Sequence, residues 1–163
     1  RSMIARESRI VFAVTPPVRI APSITPMAGI FSAENSVAVS PGEVPWNDAE
    51  KARMQELNKK DVAIDYAFMV TVEKFMRHGR ENVPDYMISG SRGDFTGVGD
   101  IHFFYSSDEV LYGALPDFEE ACKRANVPYT AFARPKMVHC YCMLPIFKEA
   151  KEDFAKIVDI LKK

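Results

Sequence analysis

Asp100 and His102 stand two residues apart in GDIHFFYSS, and on a strand that spacing puts both side chains on one face. A histidine beside a carboxylate is the smallest unit that can move protons near neutral pH. Spacing places no nucleophile beside this pair, so a hydrogen-bonded structural histidine is the competing reading. The densest cluster of metal-capable side chains is His139-Cys140-Tyr141-Cys142. Read as part of a strand over 137–144, it directs Cys140 and Cys142 to one face and His139 to the other, with Cys122 a third thiol from the neighbouring helix. Structural zinc takes four ligands at wider cysteine spacing. Free cysteine is also among the most buried residue types. Core packing is therefore the expected role of Cys122, Cys140 and Cys142, and neither metal nor cofactor is expected.

The glycine-rich segment SGSRGDFTGVGD, residues 89–100, resembles a phosphate loop only in composition. Phosphate loops follow a strand and open a helix, so that backbone N–H groups meet the anion. Here the loop precedes a strand, and Asp94 and Asp100 would repel a phosphate. Arg92-Gly93-Asp94 also spells an adhesion tripeptide, a three-residue match of little information. This loop, with His102 and with Arg92 or Arg134 for an anion, defines the alternative reading: a small-ligand-binding domain or a small enzyme.

The elements that must position these residues are read from periodicity. Asn47 with Glu50 forms a capping-box pattern and opens a helix over 48–59. Residues 61–78 alternate as a strand would, yet Ile64, Phe68, Val72, Phe75 and Met76 form a helical stripe. Eighteen residues exceed the usual strand length, so a buried helix is expected. Short strands are expected at 86–89 and 101–105, and Leu115-Pro116-Asp117 opens a helix ending near Pro128. Strands at 129–133 and 137–144 are expected to form a hairpin around Arg134-Pro135-Lys136. The last helix carries Phe147, Ala150, Phe154, Ile157, Val158 and Leu161 at helical spacing. The order strand-helix-strand-strand-helix predicts an α+β fold, a small and incomplete ferredoxin-like β-α-β-β-α body. A further strand at 86–89 or 9–14 would complete its sheet.

Residues 1–46 read as an extended arm before a single α+β domain over 47–163. Six of the eleven prolines lie there (Pro16, Pro17, Pro22, Pro26, Pro41, Pro45), which excludes a long helix or central strand. The segment is nevertheless rich in bulky apolar residues, unlike a disordered tail. Stretched out, it would reach roughly 150 Å. Val11, Phe12, Val14, Pro16, Pro17, Val18, Ile20, Ile24, Ile30 and Phe31 are the expected partner-binding residues, pairing with a sheet edge or filling grooves. The functional expectation is a non-catalytic accessory subunit of a larger assembly, hetero-oligomeric with other protein subunits. A net charge of −1 gives no electrostatic case for nucleic acid, and no apolar run is long enough for a membrane span. Three cysteines and no N-glycosylation sequon place the chain inside the cell. Four arginines against one glutamate in the first thirty residues point to a mitochondrion or plastid after removal of a leader.

Overall fold

The frame is a sheet of four strands, β1 (Arg9–Phe12), β2 (Asn35–Val39), β3 (Asp100–Ser106) and β4 (Tyr129–Arg134). They lie in the order β1-β2-β3-β4, and every neighbouring pair is parallel. The structure is a computed structural model that describes residues 9–12 and 35–162. Parallel neighbours need crossovers, and helices supply them: α1 (Asp48–Leu57) and α2 (Tyr66–Arg77) between β2 and β3, and α3 (Leu115–Arg124) between β3 and β4. After β4 comes α4 (Lys148–Leu161).

Alternation along β3 divides the core in two. Ile101, Phe103 and Tyr105 pack with Met54 of α1, Met69 of α2, and Phe118 and Cys122 of α3. Phe104 points the other way, joining Val37 and Val39 of β2 to Ala150, Ile157 and Ile160 of α4. A parallel sheet covered on both faces reads as a nearly continuous apolar run, which is what IHFFY is. The result is a helix–sheet–helix α/β layering.

This corrects the ferredoxin-like α+β expectation. A plait of that kind needs antiparallel neighbours, and the hairpin that would have supplied them does not form. Residues 137–144 are turns around a short 3₁₀ helix, Tyr141–Met143, with Cys140 left-handed at φ 54° and ψ 27°. Polar side chains at the ends of β2 and β3 hold this segment across the sheet, so it cannot lie alongside β4. The strand expected at 86–89 is likewise replaced by 3₁₀ turns at Asp85–Met87 and Gly90–Arg92. The helix within 61–78 forms, started by the Asp65 side chain on the Ala67 N–H. Most of it is not buried, however: Met69 is its one buried residue and Tyr66 packs at the edge of the core, while Phe75 is 80% exposed. The expected helices at 48–59, after Leu115 and at the C-terminus are present, as are the strands at 101–105 and 129–133. β2 lies within the segment assigned to the arm, and a strand within 9–14 does join the sheet.

At the start of α1 the sequence builds an unusual acidic pair. Asn47 Oδ1 accepts from the Glu50 N–H at 2.7 Å, and Glu50 Oε2 accepts from the Trp46 N–H at 3.0 Å. Glu50 is fully buried beside buried Glu43, whose carboxylate accepts from the N–H and hydroxyl of Ser91, both at 2.6 Å. Burial, then the charge of Glu43, push Glu50 up to about 8, so Glu50 holds a proton at neutral pH. A carboxyl group raised in the folded state binds a proton the unfolded chain has released. Its contribution to stability is therefore lost as pH rises from about 4.5 to about 8. Glu50→Gln keeps a donor toward Glu43 without a titrating group. Its thermal midpoint should fall less than wild type between about pH 5.5 and about pH 8.5, by a few degrees. Parallel melting curves for the two proteins would refute a proton held on Glu50 at neutral pH.

Candidate active site

The carboxyl ends of β2, β3 and β4 converge on three side chains that spacing alone does not connect. Immediately after β3 the chain runs Ser107-Asp108-Glu109 into a 3₁₀ helix, Val110–Ala114. The Val110 N–H is anchored on Asp61 Oδ2 at 2.7 Å, and Glu109 turns back into the protein, 1% exposed. Its Oε1 accepts from the Ser40 hydroxyl at 2.8 Å and from the Ser106 N–H at 3.0 Å. Its Oε2 lies 2.9 Å from His139 Nδ1. An acceptor-only carboxylate opposite Nδ1 fixes a proton on that nitrogen, so Nδ1–H donates to Glu109 and Nε2 is turned outward. Nε2 lies 3.1 Å from Cys140 Sγ.

Ser40 joins these parts. It ends β2 with φ 44°, its N–H donates to Phe104 O, and its Oγ accepts from the Cys140 N–H at 3.0 Å while donating to Glu109. The loop bearing His139 is tied down elsewhere too. Ser106 Oγ donates to Met137 O at 2.7 Å, and the Lys136 N–H donates to Asp108 Oδ2 at 2.7 Å. On the far side the Tyr141 hydroxyl donates to Asp153 Oδ2 at 2.6 Å, and Asp153 also pairs with Arg134.

The electrostatics follow from this packing. Burial pushes Glu109 upward, while bonds from His139, Ser40 and Ser106 oppose the rise. Burial alone would lower His139. The hydrogen bonds and charges of Cys140 and Glu109 outweigh it and raise His139 to about 10. A buried carboxylate held against one imidazole nitrogen orients the ring and favours its charged form, an arrangement able to serve acid–base chemistry.

The residues singled out by spacing lie elsewhere. Asp100 and His102 share the α4 face of β3. Asp100 begins the strand and His102 sits mid-sheet between Val37 and Thr130, away from the carboxyl ends where open α/β sheets bind ligands. The 89–100 loop has its polar groups committed to the body: Ser89 Oγ donates to Val44 O, Ser91 to Glu43, and the Arg92 guanidinium lies over Trp46 at 4.2 Å. Arg134 pairs with Glu152 and Asp153. Cys122 and Cys142 are buried in opposite cores, and Cys140 does not share a strand face with Cys142. Among the described residues no group of three His, Cys, Asp or Glu side chains could hold a metal ion. Of the arm positions, Val11 and Phe12 lie in β1; Val14, Pro16, Pro17, Val18, Ile20, Ile24, Ile30 and Phe31 lie outside the described residues. Spacing missed Glu109 altogether. The signal was chain order, an acidic residue just past one apolar strand and a histidine in the loop before the last helix.

The parallel sheet covered by helices on both faces has the α/β-hydrolase fold of the solved structures it resembles, esterases among them. An esterase from the bacterial hormone-sensitive lipase family superposes with a TM-score of 0.66 at 20% identity, over 79% of this chain and 43% of that one. The metagenomic homologue EstE7 gives 0.70 at 18%, over 82% and 46%. EstE5, solved after soaking with p-nitrophenyl butyrate, gives 0.64 at 14%, over 82% and 44%. The chain thus spans less than half the length of these structures. No family model matches it, and no curated protein sequence does. The expectation of a non-catalytic accessory subunit in a multiprotein complex is corrected by this likeness: the chain carries an enzyme fold. Of the expectations about partners, one is established in coarse form: no helix among the described residues is long and apolar enough to cross a membrane.

Proposed function

We propose that this chain is a catalytic portion of an α/β-hydrolase acting on carboxylic esters, with Glu109 and His139 as its acid–base pair. The observation that carries the reading is the 2.9 Å contact between buried Glu109 and His139 Nδ1, at the carboxyl end of a parallel sheet. In such a site the His139–Glu109 pair carries the proton that the nucleophile gives up in attacking the ester carbonyl. Glu109 stabilises the imidazolium, which then protonates the departing alcohol. Water repeats the cycle on the acyl intermediate.

The likeness to esterases supports this class of substrate. The rest of the enzyme is read from what the described residues leave uncovered. Phe68 and Phe75 of α2 are 58% and 80% exposed, and β1 is an edge strand among the described residues. A further protein segment continuing the sheet past β1 and covering α2 would bury both. Three free cysteines support a reducing compartment inside the cell, with the arginine bias of the first thirty residues as the support for a mitochondrion or plastid.

Release of p-nitrophenol from p-nitrophenyl butyrate tests the proposal. The wild-type chain should exceed the buffer rate, and His139→Ala should lose on the order of 10²–10⁴-fold of that excess. Hydrolysis that is indifferent to His139 would rule the reading out.

A further inference from the structure

We propose that Ser40 is a positioning residue of this site, whose hydroxyl closes a circuit of hydrogen bonds that holds both the His139 imidazole and the backbone behind it on one carboxylate. The inference rests on the acid–base reading of Glu109 and His139, and adds a residue that acts through Glu109 and the Cys140 main chain. The circuit runs from His139 Nδ1–H to Glu109 Oε2, from the Ser40 hydroxyl to Glu109 Oε1, and from the Cys140 N–H to Ser40 Oγ. The peptide bond between His139 and Cys140 completes it. Ser40 and Cys140 are 100 residues apart in the chain, so no local pattern announces their contact.

The members of the circuit fix its polarity. A backbone N–H only donates, so Oγ accepts from Cys140 and its one proton is left for Glu109. Glu109 Oε1 then holds two donors, Ser40 and the Ser106 N–H, which leaves Oε2 for His139. Ser40 and Glu109 are each 1% exposed, and in such a site each bond polarises the next. The backbone shows what this linkage sustains. Ser40 has φ 44° and Cys140 φ 54°, and non-glycine residues in the left-handed region persist where their surroundings over-determine them. Two such residues meet across one 3.0 Å bond.

Loss of the hydroxyl falls on the imidazole. Glu109 orients it by accepting from Nδ1–H, and a carboxylate stripped of one donor on Oε1 is freer to turn about its soft terminal torsion. The Cys140 N–H loses its acceptor at the same time, and with it goes a tether between the His139 loop and the end of β2. Both changes loosen the 2.9 Å contact that makes His139 a positioned base. The main chain of the acid is anchored separately, by the Val110 N–H on Asp61 Oδ2. What the hydroxyl controls is therefore the orientation of the carboxylate rather than the path of its chain.

Two variants separate the hydroxyl from the turn. Ser40→Ala removes Oγ and keeps a side chain at φ 44°, whereas Ser40→Gly removes Oγ and relieves the left-handed backbone. The bond from the residue 40 N–H to Phe104 O survives in both. Glycine should therefore melt above alanine, yet both should lose the same chemistry. Proton NMR of the wild-type chain at low temperature should show a downfield Nδ1–H resonance that exchanges slowly with water, assigned by its loss in His139→Gln. In both Ser40 variants that resonance should vanish or move upfield, and p-nitrophenyl butyrate hydrolysis should lose about 10–100-fold in kcat with KM nearly unchanged. Ser40→Gly carries the test if the alanine variant does not melt cooperatively. A resonance kept at its wild-type position in a folded variant overturns the proposal. So does a loss in Ser40→Ala that Ser40→Gly restores, since the turn and not the hydroxyl would then be responsible. These outcomes separate from the hydrolase reading: p-nitrophenol release that needs His139, in a chain whose Ser40 variants keep both resonance and rate, leaves that reading standing and this one refuted. A wild-type chain with neither the resonance nor His139-dependent release removes both.

Discussion

Glu109→Gln should fold and melt within a few degrees of wild type while losing on the order of 10³–10⁴-fold in kcat/KM toward p-nitrophenyl butyrate. The reason is a count of donors. Glu109 Oε1 accepts two hydrogen bonds, from Ser40 Oγ and the Ser106 N–H, and a glutamine keeps both by placing its carbonyl oxygen there. Its amide nitrogen then faces His139 Nδ1 in place of Oε2 and donates where the carboxylate accepted. The imidazole must answer with the other tautomer, and the carboxylate that oriented the ring and stabilised its charged form is gone. Glu109→Ala separates orientation from folding. It strands the Ser40 hydroxyl and the Ser106 N–H in a buried site, at about 1–3 kcal/mol for each unsatisfied group. A glutamine variant that keeps wild-type turnover would show that Glu109 only packs, and the hydrolase reading would lose its central observation.

How much of this was legible beforehand depends on where the determining contacts lie in sequence. The helices α1, α3 and α4 were readable because their caps and stripes are local: Asn47 with Glu50, Pro116 near a helix start, and Phe147 to Leu161 at helical spacing. Strand β3 was readable as a strand, but its direction relative to its neighbours was not. Parallel pairing is set by crossovers of tens of residues, and nothing in IHFFY distinguishes a plait from a doubly covered sheet. Strand β2 was missed because NSVAV is short and sits among prolines, which weighed the whole segment toward an extended arm.

The site was illegible for a related reason. Residues 137–144 have strand propensity, and contacts to Ser40, Ser106 and Glu109, each more than 25 residues away, help turn them into a loop. Once that segment is a loop, the face arithmetic that paired Cys140 with Cys142 no longer applies. His139 and Cys140 then meet each other instead of pointing apart. Asp100 and His102 share one face of β3, but Asp100 begins the strand and His102 sits mid-sheet, and distance from the carboxyl end is a property of topology that two-residue spacing does not carry.

Asp153→Ala should destabilise the fold by about 3–5 kcal/mol, a large part of the 5–15 kcal/mol that holds a domain together. Asp153 is 1% exposed and is shared by three donors: Arg134, the Tyr141 hydroxyl at 2.6 Å and Lys156 at 3.1 Å. Burial alone would raise its carboxyl, but those three partners together hold it below its usual value. Its contribution is therefore present above about pH 3.8 and lost as pH falls through the lowered folded value. Alanine leaves the Tyr141 hydroxyl unpaired in the core and Arg134 with Glu152 alone, near the surface. Tyr141→Phe, which removes one donor and leaves the ion pairs, should cost only about 1 kcal/mol. Urea titration of the two variants gives the comparison, and equal midpoints would deny the ion pairs their part. The same network clamps the loop two residues beyond His139, so Asp153→Ala should also raise KM for the ester at temperatures where the variant remains folded. Tyr141→Phe should show a smaller effect of the same sign. A folded Asp153→Ala protein with unchanged kinetic constants would mean that Ser40, Ser106 and Glu109 alone position the His139 loop.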